Sequence, residues 1–173
     1  MPSLPRILFL VGFMGSGKSE VGRRVAADLG WSFEDTDRAV ERERGQSVER
    51  IFQEAGEERF REAERAVLRE LSGRVAIVVA TGGGLFLDRS SRHLMKHGGA
   101  TVWLDAGLET VRRRLGPGTG RPLWNATDPI ALRAFYGRRR AVYALCDFRV
   151  DASADTPDEV AARVVRTIHA VYH

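Results

Sequence analysis

The chain has 173 residues, a length that suits one compact domain whose core needs no disulfide or metal for stability. Apolar residues make up 43% of it and charged residues 29%, which excludes the disordered and fibrous classes of protein. The net charge is +4, and the single cysteine, Cys146, excludes a disulfide framework and a zinc site built on cysteines.

The basic residues are nearly all arginines, and most of them alternate with glutamates along helical stretches such as residues 57–69. This alternation favours a solvated, salt-bridged helix face over a surface that binds nucleic acid. The first apolar run, over residues 7–14, is too short to span a bilayer and leads into a glycine motif instead of a cleavage site. We therefore expect a cytoplasmic protein that binds neither nucleic acid nor membranes, and we further expect a monomer.

The N-terminal half of the sequence alternates between patterns typical of strands and of helices. A strand, a helix, a second strand and a helical insertion follow one another, over residues 7–11, 20–29, 31–34 and 36–72. The first strand is apolar throughout, as is typical of a buried central strand in a parallel sheet. Gly30 is placed to cap the first helix, and Gly45 and Gly56 are expected to break the insertion into successive helices.

The C-terminal half continues the alternation, with strands over residues 75–80, 101–104 and 148–150 and helices over residues 88–98 and 128–144. Residues Thr156 to Glu159 form a capping box, with Pro157 at the first position of a final helix. Glycines and prolines are concentrated in residues 116–122, and we interpret this stretch as a mobile flap.

These elements predict a three-layer α/β fold in which helices cover both faces of one five-stranded parallel sheet. We assign residues 1–173 to a single domain. Its parts are a core (residues 1–34, 73–114 and 127–173), a substrate-binding helical insertion (residues 35–72) and a lid that contains the flap (residues 115–126).

The first loop carries the motif G-F-M-G-S-G-K-S, from Gly12 to Ser19, which matches the phosphate-binding pattern G-x-x-x-x-G-K-[ST]. It lies between a predicted buried strand and a predicted helix, where backbone N–H groups and the helix dipole bind a polyphosphate. Lys18 adds a full charge, and the Ser19 hydroxyl can bind Mg²⁺. The alternatives are a plain strand-to-helix turn and a dinucleotide fingerprint, and the second fails because Glu20 stands where a small residue is needed.

Two acidic residues, Asp35 and Asp37, follow the second predicted strand, at the sheet edge where parallel α/β folds bind ligands. The strand over residues 75–80 contains no carboxylate, so that Mg²⁺ needs an acid from elsewhere. One aspartate can support the metal while the other accepts the proton of an acceptor hydroxyl. The alternative is a helix cap, and the spacing leaves both interpretations open.

Three successive glycines, Gly82, Gly83 and Gly84, follow the strand over residues 75–80. They bring bare backbone close to a ligand, although a tight turn explains one of them equally well.

Four arginines are candidate ligand-binding residues and not only solvated ones, because a guanidinium binds a carboxylate or a phosphate bidentately. They are Arg61, Arg114, Arg121 and Arg140, and the physics of the sequence alone does not select them from the surface arginines.

The ordered set of motifs resembles the shikimate kinase family, whose members are P-loop proteins similar to nucleoside-monophosphate kinases. The segments that carry the resemblance span nearly the whole chain: residues 12–19, the pair Asp35 and Asp37, and residues 56–64, 82–84, 121–123 and 140–143. The resemblance implies the strand order 2-3-1-4-5. It also implies transfer of the γ-phosphoryl group of ATP to the 3-hydroxyl of shikimate, with Mg²⁺.

The resemblance further implies a role for each motif residue. Shikimate would be bound by Asp37, Arg61, Gly82, Gly83, Gly84 and Arg140. ATP would be bound by Gly15, Ser16, Gly17, Lys18, Ser19, Glu20, Arg114, Arg121 and Pro157. The catalytic residues would be Lys18, Asp37 and Arg121. Mg²⁺ would be held by Ser19 directly and by Asp35 through water.

Two positions depart from the family pattern: Trp124 stands in the lid where leucine is common, and Asp155 stands where some members carry arginine. Three alternative functions remain. They are a kinase similar to gluconate kinase, a non-catalytic regulator similar to shikimate kinase, and a GTPase-type switch. The paired aspartates and the triple glycine weigh against the first, the full set of chemical residues against the second, and the lack of an Asn-Lys-x-Asp signature against the third.

Overall fold

The computed structural model describes residues 4–117, 124, 127–153 and 155–172. The strands are β1 (Ile7–Val11), β2 (Ser32–Asp35), β3 (Ile77–Ala80), β4 (Ala100–Asp105) and β5 (Phe148–Asp151). The helices are α1 (Lys18–Leu29), α2 (Thr36–Arg44), α3 (Val48–Leu71), α4 (Arg89–Gly98), α5 (Leu108–Leu115), α6 (Pro129–Tyr143) and α7 (Pro157–Tyr172). A 3-10 turn, Leu85–Leu87, follows β3.

The strands form one parallel sheet in the order β2-β3-β1-β4-β5, which confirms the predicted fold class and strand order. Every residue of β1, β3 and β4 is buried. The edge strands β2 and β5 carry exposed or half-buried residues. The continuous apolar runs of the sequence therefore correspond to the three inner strands, which helices cover on both faces.

The helices lie on opposite faces of the sheet. A Cβ at Gly22 of α1 would meet Leu10, so that α1 covers the face to which Leu10 points. Leu10 pairs with Val102, the neighbour of Trp103, and successive residues of a strand point to opposite faces. Trp103 contacts Tyr143 of α6, with ring centroids 6.3 Å apart. Helix α6 therefore lies opposite α1, as a three-layer fold requires.

Residues 36–71 form the two helices α2 and α3, and the two glycines expected to interrupt them do so. Gly45 caps α2 with φ 63°, and Gly56 bends α3 with φ 84° and ψ 168°. Glycine adopts such positive φ angles without a steric penalty. The start of β3 was predicted too early, because Ala76 adopts a left-handed conformation with φ 52° and Val75 is 58% exposed. Pairing with β1 begins at Ile77.

Most of the predicted lid, residues 118–123, 125 and 126, lies outside the described residues, and Arg121 with it. At the edge of this segment, the indole N–H of Trp124 donates to the carbonyl of Gly116 at 3.1 Å.

Cys146 lies between α6 and β5, where burial raises the pKa of its thiol to about 12. Within the described ranges, no helix is both long enough and apolar enough to span a membrane.

Candidate active site

The P-loop, residues 12–19, connects β1 to α1 and depends on its glycines. Gly15 and Gly17 have φ angles of 75° and 91°, which residues with a side chain rarely adopt. A Cβ at Gly12 would lie 2.7 Å from the carbonyl oxygen of Leu104, and one at Gly15 would lie 2.9 Å from Leu115. The loop therefore needs glycine for its backbone conformation and for its close approach to β4 and α5.

Lys18 opens α1 and bends back over the P-loop. Its ammonium donates to the carbonyls of Gly12 at 2.7 Å and Phe13 at 2.9 Å. Ser16, within the loop, is buried, and Glu20 lies on the first turn of α1, 3.8 Å from Arg24. The positive charge of Lys18 and the N-terminus of a helix thus meet at one place, which is the arrangement that binds a polyphosphate.

Asp35 caps α2 and also contacts Ser19 of the P-loop. Its Oδ1 accepts hydrogen bonds from the backbone N–H groups of Asp37 at 2.9 Å and Arg38 at 3.2 Å, and so caps α2. Its Oδ2 accepts a hydrogen bond from the hydroxyl of Ser19. The hydroxyl and the carboxylate are adjacent oxygen donors beside the P-loop, and oxygen is the donor that Mg²⁺ prefers. These two residues therefore fit a magnesium ion.

Arg114 joins the P-loop to the segment before α7. Its guanidinium donates to the carbonyls of Gly15 at 3.3 Å and Ala152 at 3.0 Å. Pro157 is the first residue of α7. The predicted capping box is confirmed, since Thr156 N–H donates to Glu159 Oε2 at 2.8 Å and Glu159 N–H donates to Thr156 Oγ1 at 3.3 Å. Arg114 therefore links the P-loop to the segment that leads into α7.

The first glycine of the triple-glycine segment, Gly82, is enclosed by acidic side chains. A Cβ at this position would lie 2.2 Å from Glu64 Oε1 and 2.7 Å from Asp37 Oδ1. The backbone N–H of Gly82 donates to Thr36 Oγ1 at 2.8 Å, which fixes the start of α2 against the end of β3. Asp37 and Glu64 therefore share one small space, and only glycine leaves room for both.

The other two glycines face arginines. A Cβ at Gly84 would lie 2.6 Å from Arg61 Cζ, and one at Gly83 would lie 3.1 Å from Arg139 Nη1. The hydroxyl of Tyr143 also donates to the Gly83 carbonyl. The three glycines thus leave room for four charged neighbours, which explains why a single tight turn accounts poorly for all of them.

Glu64 is completely buried on α3, and its Oε2 accepts a hydrogen bond from Arg61 Nη1 at 2.7 Å. Burial raises the pKa of Glu64 to about 7; the Arg61 guanidinium opposes this shift and the Asp37 carboxylate reinforces it. Arg61 also contacts Glu57 at 3.3 Å. Glu64 therefore orients Arg61 and faces Asp37, a role that the sequence interpretation did not assign to it.

Arg139 is 5% exposed and lies on the face of α6 that also buries Leu132 and Tyr143. Its guanidinium stacks on the ring of Phe135 at 4.4 Å, while its Nε has no hydrogen-bond partner among the described residues. Burial raises the pKa of Tyr143 to about 12, and the nearby guanidiniums of Arg139 and Arg61 counteract this shift. Arg61 and Arg139 therefore approach the glycine segment together.

Arg140 is elsewhere, and the expectation that it would pair with Arg61 must be corrected. Its Nη1 and Nη2 contact the two carboxylate oxygens of Asp105, each at 2.9 Å. Consecutive residues of an α-helix point about 100° apart, so that only one of two neighbouring arginines can face the same cleft. On α6 that residue is Arg139.

A family model described as shikimate kinase matches residues 14–169 of the chain. The chain belongs to the shikimate kinase family. The shikimate kinase of Gloeobacter violaceus is 45% identical over 166 residues, which are 94% of this chain and 92% of the relative. That of Moorella thermoacetica is 44% identical over 166 residues, 95% of this chain and 93% of the relative.

Among solved structures, a shikimate kinase from Acinetobacter baumannii in complex with shikimate is similar to this chain with a TM-score of 0.92. The two are 33% identical, and the match covers 98% of this chain and 96% of the other.

In this member of the shikimate kinase family, the P-loop and the triple glycine are in contact. A Cβ at Gly83 would lie 3.7 Å from both the Gly12 carbonyl oxygen and the Met14 backbone nitrogen. The contact arises because β1 and β3 are neighbours in the sheet and end at the same edge. A nucleotide held by the loop and an acceptor held at the glycines would therefore be adjacent.

The sequence interpretation missed two residues of this shikimate kinase site, Arg139 and Glu64. The helical periodicity of α6 and α3 contains a signal for both. Leu132, Arg139 and Tyr143 are separated by intervals of seven and four, which place Arg139 on the apolar stripe of α6. Glu64 likewise falls four residues after Phe60 and four before Leu68 on the buried stripe of α3. A charged residue on an apolar stripe is a candidate for a buried functional site.

Proposed function

We propose that this chain is a kinase that transfers the γ-phosphoryl group of ATP to the 3-hydroxyl of shikimate. The observation that supports it most directly is the position of the glycine segment 82–84. This segment contacts the P-loop on one side and is lined by two carboxylates and two guanidiniums on the other. Such a cleft suits an acceptor that carries both a carboxylate and hydroxyl groups.

The nucleotide occupies the P-loop. The backbone N–H groups of residues 15–19 and the Lys18 ammonium bind its β- and γ-phosphates. Ser19 and Asp35 would hold Mg²⁺, which would supply positive charge to balance the charge that develops on the phosphoryl oxygens. Arg114 and Pro157 border the adenine. Arg121, which lies outside the described residues, retains its proposed contact with the phosphates on the basis of its motif.

The acceptor lies over the three glycines. Arg61 and Arg139 bind its carboxylate, and Arg139 replaces Arg140 in this role because it alone faces Gly83. Asp37 accepts a hydrogen bond from the 3-hydroxyl and then its proton, while Glu64 holds Arg61 in place. Phosphoryl transfer requires little covalent chemistry from the protein, so that these residues act by positioning and by neutralising charge.

The same proposal covers the organisation of the chain. Residues 35–72 supply Asp37, Arg61 and Glu64 and thereby act as the acceptor-binding insertion. Residues 115–126 act as the lid, and the remaining residues form the core. We also propose that the protein works as a monomer.

The test is a coupled assay of ADP release with shikimate, gluconate, nucleoside monophosphates or no acceptor. We expect fast release with shikimate alone and slow release without an acceptor, because closed kinase sites exclude water. Faster turnover of gluconate would favour the gluconate kinase alternative. Binding of shikimate without ADP release would favour a non-catalytic regulator.

A further inference from the structure

The Asp105 carboxylate, at the end of β4, holds two arginines from different elements. Its two oxygens accept from Arg140 of α6, each at 2.9 Å, and its Oδ2 also accepts from Arg149 of β5, with the closest contact at 2.6 Å. The Asp105 side chain is 7% exposed. The Arg140 side chain is 38% exposed, so that the contact is buried at its carboxylate end, and its bidentate geometry distinguishes it from an ordinary surface ion pair, which contributes little.

Neighbouring contacts fasten the same side of α6 to the end of β4. The guanidinium of Arg140 lies 5.1 Å from the ring centroid of Trp103. The hydroxyl of Tyr136 accepts from Arg140 Nη1 at 3.1 Å and donates to the Ala106 carbonyl at 2.8 Å. Arg140 is thus linked at once to the carboxylate, to the indole and to its own helix, which fixes the rotation of α6 about its axis.

The rotation of α6 matters because of the preceding residue. Arg139 faces Gly83 with a guanidinium that is buried and whose Nε has no hydrogen-bond partner among the described residues. Its stacking partner, Phe135, belongs to the same helix and moves with it. The direction of Arg139 therefore depends on whatever holds α6 in place.

We propose that Arg140 and Asp105 form a positioning pair that directs Arg139 at the carboxylate of the acceptor. Arg140 does not touch the acceptor but acts through its neighbour. The inference rests on the proposed function, since it concerns the same acceptor cleft. It also gives a reason for two adjacent arginines on α6 that point to different parts of the protein.

The pair is tested with Arg140→Gln, which removes the charged fork but keeps a helix-forming residue. This variant should fold, because Asp105 retains Arg149 as a partner and is not left as an unpaired buried charge. The matched control is Arg138→Gln, on an exposed position of the same helix. We expect Arg140→Gln to raise the shikimate KM about tenfold and to change the ATP KM less than about twofold, with Arg138→Gln unchanged.

A purely structural role for Arg140 is distinguished by repeating the substitution in the Arg139→Ala background. If Arg140 acts through Arg139, the second substitution should leave the shikimate Kd, measured by calorimetry, within about twofold of that of Arg139→Ala alone. The same tenfold factor in both backgrounds would overturn the proposal, and so would a wild-type shikimate KM in Arg140→Gln.

Asp105→Asn approaches the pair from the other side and serves if Arg140→Gln does not fold. We expect the same selective rise in the shikimate KM, and an equal rise in both KM values would contradict the positioning role. If the wild type does not phosphorylate shikimate, the proposed function and this inference both fail. If it does, and only the variants behave otherwise, the inference fails alone.

Discussion

Gly84 lies directly against the guanidinium of Arg61, so that a Cβ at position 84 would stand 2.6 Å from Arg61 Cζ and 2.7 Å from its Nη2. Arg61 is fixed on its other side by the completely buried Glu64. The guanidinium therefore has little room to retreat, and its position above the end of β3 depends on the lack of a side chain at residue 84.

We expect Gly84→Ala to displace Arg61 and to raise the shikimate KM about tenfold or more, with little change in the ATP KM. Steady-state kinetics with each substrate varied in turn will measure both values. The control is Gly137→Ala on α6, where a Cβ would meet nothing within 4 Å. That variant should keep wild-type kinetics and gain roughly 0.5 to 1 kcal/mol of stability. Wild-type shikimate affinity in Gly84→Ala would contradict the assigned contact.

The carboxylate contact predicts that Arg139→Lys is strongly impaired, since an ammonium does not reproduce the bidentate fork of a guanidinium. We expect a rise in the shikimate KM equivalent to about 2 to 5 kcal/mol and an almost unchanged ATP KM. Arg138→Lys is the matched control. In titration calorimetry, an analogue with the ring hydroxyls but no carboxylate should bind the wild type and Arg139→Lys equally weakly. Tight binding of that analogue to the wild type would contradict the proposed binding of the acceptor carboxylate by Arg61 and Arg139.

Asp37→Asn keeps the shape of the side chain but removes the charge and the proton acceptor. The turnover number should fall by about 10²-fold or more, while nucleotide affinity changes little. Single-turnover kinetics and nucleotide titration separate the two effects. If nucleotide affinity collapses and the transfer rate of the bound complex survives, Asp37 supports the metal and its assignment must be exchanged with that of Asp35.

The chain has two lysines, which give a matched pair of variants. Lys18→Ala should abolish measurable transfer and leave the fold intact, because Lys18 acts as a point charge on the phosphates and is not part of the apolar core. Lys96→Ala removes an exposed ammonium on α4 that donates to the Leu145 carbonyl at 2.8 Å, and it should keep wild-type turnover. Near wild-type turnover of Lys18→Ala would refute the P-loop assignment.

Glu64 predicts a pH dependence of stability. Burial raises its pKa from the ordinary 4.5 to about 7, so that the folded protein holds this proton more tightly than the unfolded chain does. The resulting stabilisation is fully present below about pH 4.5 and is lost as the pH rises through about 7. Glu64→Gln has no proton to lose. Between about pH 5 and about pH 8, the free energy of unfolding of the wild type should therefore fall, relative to that of Glu64→Gln, by on the order of 3 kcal/mol.

Urea denaturation of both proteins at the two pH values measures this difference. The kinetic counterpart is a rise in the shikimate KM of Glu64→Gln, since the variant no longer pairs an ionised group with Arg61. Parallel pH profiles of the two proteins would mean that Glu64 is ionised in the folded state throughout this range.

The sheet was predictable to the extent that burial leaves a local pattern in the sequence. The inner strands appear as continuous apolar runs because helices cover both of their faces. The order of the strands is not a local property, and it was available only through the family resemblance. The start of β3 was predicted too early for a related reason, since local residue type was misleading there. Val75 is apolar but exposed, and nothing in its residue type reveals the left-handed turn at Ala76.

The candidate site, like the sheet, is predictable from the sequence only in the parts that leave a local pattern. The P-loop is a contiguous motif whose conformation its own glycines determine, so that the sequence predicted it in detail. Arg139 and Arg140 are chemically identical neighbours, and only the rotation of α6 within the fold decides which of them faces the glycines. The burial of Glu64 likewise depends on the packing of α3 against the end of β3. The helical periodicity of the sequence marks both Glu64 and Arg139 as buried. The motif of residues 140–143, which ends at Tyr143, instead indicated the adjacent Arg140.

The properties of Cys146 bear on how this protein can be labelled. It is the only cysteine, and with its pKa raised to about 12 very little of it is present as the reactive thiolate near neutral pH. Alkylating dyes should therefore leave the wild type almost unmodified. A cysteine introduced at Ile130, which is 83% exposed at the start of α6, would then react selectively without prior removal of the native thiol. A single-site fluorophore beside the predicted lid would test in solution whether that segment moves.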